Sequence, residues 1–196
     1  MNPAVEAPER PIPAAARAAR AVGRSLLYCA VLIPVSTAAL IAALLGRRQT
    51  AVSWWRALRT WLVSNGSAGG AALRRPGTVA VIGHALASLL LGAAALVPLG
   101  IQVLMLLRGV LYGLVDRGPY DHSWGGPTRG GAWLAHFLVS VPFTLAALGA
   151  LAGIAAVHQR LTRSLDGGRP AWWQLPLTAV ICLAGAVLVF AWSRQI

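Results

Sequence analysis

Ten consecutive residues, Tyr120-Asp121-His122-Ser123-Trp124-Gly125-Gly126-Pro127-Thr128-Arg129, bring together an acid, an imidazole, hydroxyls, an indole and two adjacent glycines. Two kinds of chemistry suit that set. As a ligand-sensing or partner-docking loop, the glycines allow close backbone approach and Trp124 supplies contact surface. As a tight turn, Gly125-Gly126-Pro127 reverses the chain while Trp124 and Trp133 anchor it at a membrane interface. Acid-base catalysis fits less well, because Asp121-His122 is a lone adjacent pair whose side chains need not converge. His84, His122, His136 and His158 show no H-E-x-x-H or other close metal-ligand spacing. The expectation is therefore a protein that is not an enzyme, with no metal and no cofactor. Cys29 and Cys182 form no C-x-x-C pair and read as small buried hydrophobes.

The elements that carry these residues are set by hydropathy. Uncharged apolar runs cover Leu26 to Leu45, Thr78 to Leu107, Ala132 to Val157 and Leu175 to Trp192. A helix of about 20 apolar residues crosses a hydrocarbon core of about 30 Å. With 57% apolar residues, 11% charged residues and a mean hydropathy of +0.66, the chain departs far from a soluble domain. The fold class expected is all-α: a polytopic membrane helix bundle with about four transmembrane helices, over 25–46, 78–107, 132–157 and 172–192, and one interfacial amphipathic helix over 51–63. Residues 1–24, rich in Ala, Pro and Arg, read as a flexible tail, and 193–196 as a short C-terminal one. Pro98 and Gly100 leave open whether 78–115 is one kinked span or two short segments; one kinked span is favoured, since neither half reaches a crossing length.

Charge sharpens the same picture. All 17 basic residues are arginine, against five acids, giving a net charge of +12. The arginines sit at the ends of apolar runs rather than on one continuous face, which points to anionic lipid headgroups and away from nucleic acid. In the helix over 51–63, Trp54, Leu58, Trp61 and Leu62 share one face, and Arg56, Arg59 and Thr60 the other. Trp54, Trp55 and Trp61 are expected at the interface with Arg56 and Arg59 toward phosphate, and Trp172 and Trp173 in the belt of the last span. Asn65 to Gly70 reads as a flexible break. His84 and His136, early in their runs, read as interhelical hydrogen-bonding groups or interfacial imidazoles. No Asp or Glu lies inside a run, which argues against an ion-coupled transporter. Gly109-x-x-x-Gly113 and Gly149-x-x-x-Gly153 allow close helix approach, within the bundle or in a homo-oligomer.

The stretch Tyr120 to Pro142, YDHSWGGPTRGGAWLAHFLVSVP, resembles the closing half of a sensor domain family of actinobacterial membrane proteins, often fused to histidine kinases. Trp124 to Thr128, Gly131 to Trp133 and His136 carry the likeness, and Leu161 to Leu165 resembles the basic helix end that follows. The likeness covers about Arg108 to Leu165, is weak over Thr78 to Leu107 and poor for the first span. The family has a hairpin of two spans near its N-terminus where one is read here, and this chain has an added span in place of a kinase. The resemblance implies a multi-pass sensor or signalling accessory in a bacterial cell membrane, acting through a membrane or cytoplasmic signalling partner. Its binding residues would be Tyr120, Asp121, His122, Trp124, Gly125, Gly126, Arg129 and His136. An accessory or permease-like subunit of a transport complex is the alternative.

Overall fold

The computed structural model describes residues 13–62, 76–166 and 174–194, and every regular element in them is helical. In chain order these are α1 (Ala14–Leu44), α2 (Arg48–Leu62), α3 (Thr78–Met105), a π-turn (Leu106–Val110), α4 (Tyr112–Val115), α5 (Arg129–Ser164) and α6 (Gln174–Ser193). The readings of 1–12, of Asn65 to Gly70, and of Trp172 and Trp173 fall outside the described residues.

Three helical stretches, Ala14–Leu44, Thr78–Val110 and Arg129–Ser164, are long and apolar enough to cross a membrane. α6 is a fourth apolar helix with a shorter qualifying stretch, Pro176–Ala191. Only 28% and 22% of the most apolar windows of the second and third are buried. Leu90, Leu138, Leu145, Leu183 and Phe190 instead point outward, more than half exposed. A surface so apolar is stable only against lipid, so the chain is a membrane protein.

The helix ends differ from expectation in ways that propensity explains. α1 starts at Ala14, inside the region read as a tail, because Ala14 to Val22 is almost entirely alanine and arginine, both strong helix formers. It ends in a Schellman turn: Arg47 N–H donates to Ala42 O at 2.8 Å, Gly46 N–H to Ala43 O at 3.1 Å, and Gly46 takes φ +77°. α3 runs unbroken through Pro98, so 78–105 is one helix and the two-segment alternative falls away. At about 1.5 Å per residue, Thr78–Val110 is about 50 Å long and must tilt in a core of about 30 Å. α5 extends beyond the apolar run at both ends. Its start is fixed by Thr128, whose Oγ1 accepts from Gly131 N–H at 3.1 Å.

The interior forms where α1, α3 and α5 meet. Tyr28, Leu32, Leu91, Leu151 and Leu161 belong to one apolar cluster. Ala39, Ala43, Ala51, Val52, Trp55, Val81 and Leu165 form a second, closed by α2. Close approach of α1 and α3 depends on Gly92, where a Cβ would lie 2.7 Å from Ile33 Cγ1.

Candidate functional site

Two polar constellations stand out, one buried among the spans and one at the end of α3. The buried one starts from residues four apart on single helix faces: His84 and Ser88 on α3, His158 and Thr162 on α5. Tyr28 comes from α1. His158 lies just beyond the apolar run read from sequence, yet it is fully buried, as are Tyr28, Ser88 and Thr162. Tyr28 Oη lies 2.5 Å from His158 Nδ1, and Ser88 Oγ 2.8 Å from His158 Nε2.

Proton counting assigns the direction of these bonds. Ser88 has one hydroxyl proton and gives it to His84 O at 2.7 Å, so His158 Nε2–H donates to Ser88. His158 Nδ1 then accepts from Tyr28. Thr162 likewise donates to His158 O at 2.9 Å and accepts, at 3.4 Å, from His84 Nε2–H. One neutral imidazole thus ties three helices together. Trp55 of α2 closes the cluster, its ring centroid 4.5 Å from that of His84 in an edge-on arrangement. Among the described residues its Nε1 is buried without a hydrogen-bond partner, as is Ser36 Oγ.

That placement corrects the reading of α2. Trp55 is fully buried rather than interfacial, because Ala51, Val52, Trp55 and Leu58 form the stripe turned inward. Trp54 and Trp61 remain exposed, at 41% and 47%. Arg56 and Arg59 are also drawn away from free headgroup contact. Arg56 Nε lies 2.7 Å from Asp166 Oδ1 and Arg59 Nη1 2.8 Å from Asp166 Oδ2, so one carboxylate after α5 holds both guanidiniums.

The second constellation joins the loop to the helices on either side. Arg129 donates through Nε at 2.7 Å, and also through Nη2, to Gly113 O. Trp133 Nε1 donates to Val110 O at 3.0 Å. Those carbonyls belong to the last turns before the loop, where the ordinary helical ladder is disturbed by the π-turn. Gly109 and Gly113 make room: a Cβ at either would collide with Ser140 or with the Trp133 ring. This Gly-x-x-x-Gly therefore packs within the bundle, whereas nothing lies within 4 Å of a Cβ at Gly149 or Gly153.

Of the loop residues singled out from sequence, the structure gathers some and leaves others apart. His136 stacks flat on Tyr112, centroids 3.8 Å apart at 8°, and lies 6.4 Å from Trp124, which is 71% exposed. Gly125 and Gly126 take φ +92° and +97°, and Gly125 packs directly on the backbone of Gly131. Tyr120 turns inward, its hydroxyl donating to Asp116 O at 2.7 Å. Asp121 and His122 are exposed. Asp116, at the start of the loop but not among the candidate binding residues, accepts from Gly118 N–H at 2.9 Å. That bond, then the Tyr112 hydroxyl and the charges of Arg108 and His136, holds its carboxyl below the usual range.

Among the described residues no three His, Cys, Asp or Glu side chains converge as metal ligands. The cluster around His158 lacks any carboxylate, so it works as an interhelical lock. The loop presents an exposed indole on a stacked platform bonded to the ends of two long helices. Comparison of the chain with protein-family models, with curated proteins and with solved structures finds no match to any of them.

Proposed function

We propose that this chain is a sensor-like or signalling-accessory protein of the bacterial cell membrane, without catalytic activity, that acts through a partner polypeptide. The observation that carries this reading is the double tether of the loop: Arg129 to Gly113 O and Trp133 to Val110 O. A contact at Trp124 bears on His136 and Tyr112, and the tether passes any displacement to the π-turn of α3 and the first turns of α5. A π-turn is a natural place for such a shift, because its hydrogen-bond ladder already deviates from the α pattern. The likeness of Tyr120 to Pro142 to the actinobacterial sensor family supports the same reading.

The test is replacement of Trp124 by Ala and of Gly126 by Ala, with purification from native membranes and measurement of a co-purifying partner's output. Output changes while insertion is unaffected if the loop senses or docks. If both variants insert and the partner's output is that of wild type, the reading fails.

A second reading, an accessory or permease-like subunit of a transport complex, draws support from the open face around Gly149 and Gly153, which can take a further membrane helix. It predicts co-purification with an ATPase and loss of flux when Gly153 is replaced by Leu.

A further inference from the structure

Below the loop, at the end of the second span, lies a cavity of about 440 Å³ lined by Leu107, Arg108, Tyr112, Val115, Asp116 and Arg117. We propose that it binds the headgroup of an anionic membrane phospholipid, one with a single phosphate diester and a hydroxyl-bearing substituent. The site shares Tyr112 with the loop reading but takes its charge from Arg108, Asp116 and Arg117, which that reading does not use.

Three observations lead there. Arg108 and Arg117 are exposed, and among the described residues neither makes a hydrogen bond or ion pair. Two guanidiniums lining one cavity match a phosphate, since each offers a planar fork of donors. Asp116 in the same lining already accepts from Gly118 N–H at 2.9 Å, so it remains an anion with acceptor capacity to spare. Such a group repels a second phosphate and accepts from hydroxyls. The lining carries two positive charges and one negative, so a headgroup of charge −1 neutralises it and a zwitterionic one does not.

Position decides the source of the phosphate ester. The cavity begins at the π-turn, where the apolar stretch Thr78–Val110 ends, which is headgroup depth for a helix crossing the bilayer. Leu107 and Val115, both exposed and lining the same cavity, give acyl chains an apolar wall. A soluble glycerol phosphate would gain nothing from that wall.

The experiment titrates full-length protein in neutral detergent with phosphatidylglycerol, phosphatidylcholine, phosphatidic acid or soluble glycerol 3-phosphate, and reads thermal stability and bound lipid by native mass spectrometry. Phosphatidylglycerol is expected to bind and raise the melting temperature, with phosphatidylcholine and phosphatidic acid weaker. Arg108→Gln and Arg117→Gln each weaken phosphatidylglycerol binding about five- to tenfold, as loss of a surface arginine near a headgroup implies. Neither side chain has a hydrogen-bond or ion-pair partner among the described residues, so the lipid-free melting temperature is expected to stay close to the wild-type value, with Arg108→Gln losing only its through-space attraction to Asp116. Asp116→Asn narrows the preference for phosphatidylglycerol over phosphatidic acid. Equal response to phosphatidylcholine, or unchanged binding by both arginine variants, overturns the proposal. An equal response to glycerol 3-phosphate overturns the lipid assignment in favour of a soluble ester.

Discussion

His158 and His136 sit on the same helix, α5, about six turns apart, and the chain treats them in opposite ways. His158 is fully buried and both ring nitrogens are taken by side chains from other helices, Tyr28 and Ser88. His136 bonds only to its own helix, Nδ1 to Ala132 O at 2.8 Å, and leaves a ring face against Tyr112 beneath an exposed tryptophan. In a lipid solvent a satisfied imidazole between helices sets their register. On the reading proposed above, an imidazole stacked on Tyr112 near an exposed indole is placed to respond to a contact at the loop. The same residue type joins three helices at one end of α5 and bonds within its own helix at the other.

The largest expected effect breaks the buried side. His158→Ala leaves Tyr28 and Ser88 without their shared partner and opens a cavity among three helices, at a cost of about 3 kcal/mol. Tyr28→Phe removes one hydroxyl and keeps the ring, and costs about 1 kcal/mol. Reversible unfolding in mixed micelles measures both. His136→Ala is expected to cost less than either, and a cost equal to that of His158→Ala would erase the distinction between the two ends.

Next in size is a test of how tightly the loop end is packed. Gly109→Ala forces a methyl into Ser140, which should cost about 1 to 3 kcal/mol, while Gly149→Ala meets open space and should be near neutral. If the two glycines respond alike in the same unfolding assay, the π-turn is not held against α5 in the way described.

A smaller effect concerns the cover over the buried cluster. Asp166→Asn releases Arg56 and Arg59 together, at a cost of about 1 kcal/mol or less, since all three side chains are partly solvated. Raising the salt concentration should remove most of that difference between wild type and variant. A difference that persists in high salt would mean that Asp166 acts through packing instead.

The sequence exposes these regions unequally, for physical reasons. Spans are legible because lipid imposes one composition on a whole helix: the runs at 78–107 and 132–157 lie inside observed helices, and that at 26–45 passes the end of α1 by one residue. Helix ends are not, because Ala14 to Arg24 and His158 to Ser164 are helical without being apolar. In α2 the trouble is two apolar faces, one toward protein and one outward. Trp54 and Trp55 are adjacent, about 100° apart around the helix, and composition alone does not say which faces in. The pairing of Tyr28 with His158 spans 130 positions and leaves no periodic trace. The signal that was present is the four-residue spacing of His84 with Ser88 and of His158 with Thr162, which puts polar pairs on single faces of apolar helices. The loop was singled out for its composition, but the tethers through Arg129 and Trp133 end on backbone carbonyls, and carbonyls look the same at every position.

The smallest effect bears on the loop end and comes from acid. The Asp116 carboxyl is held below its ordinary range, first by Gly118 N–H and then by the Tyr112 hydroxyl. A group whose folded pKa lies below its unfolded one stabilises the fold at pH above the unfolded value and loses that contribution as pH falls through the folded value. The loss therefore falls below about pH 4, where carboxyls in an unfolded chain are already protonating. Unfolding measured at pH 5 and again at pH 3 should show wild type losing more than Asp116→Asn over that interval, with the gap confined to the acid side. Every other titratable group is common to the two proteins, so its contribution cancels in the comparison. If the variant and wild type lose stability in parallel from pH 5 to pH 3, Asp116 is not held by the turn at Gly118, and the loop end loses the anchor that distinguishes it from an open coil.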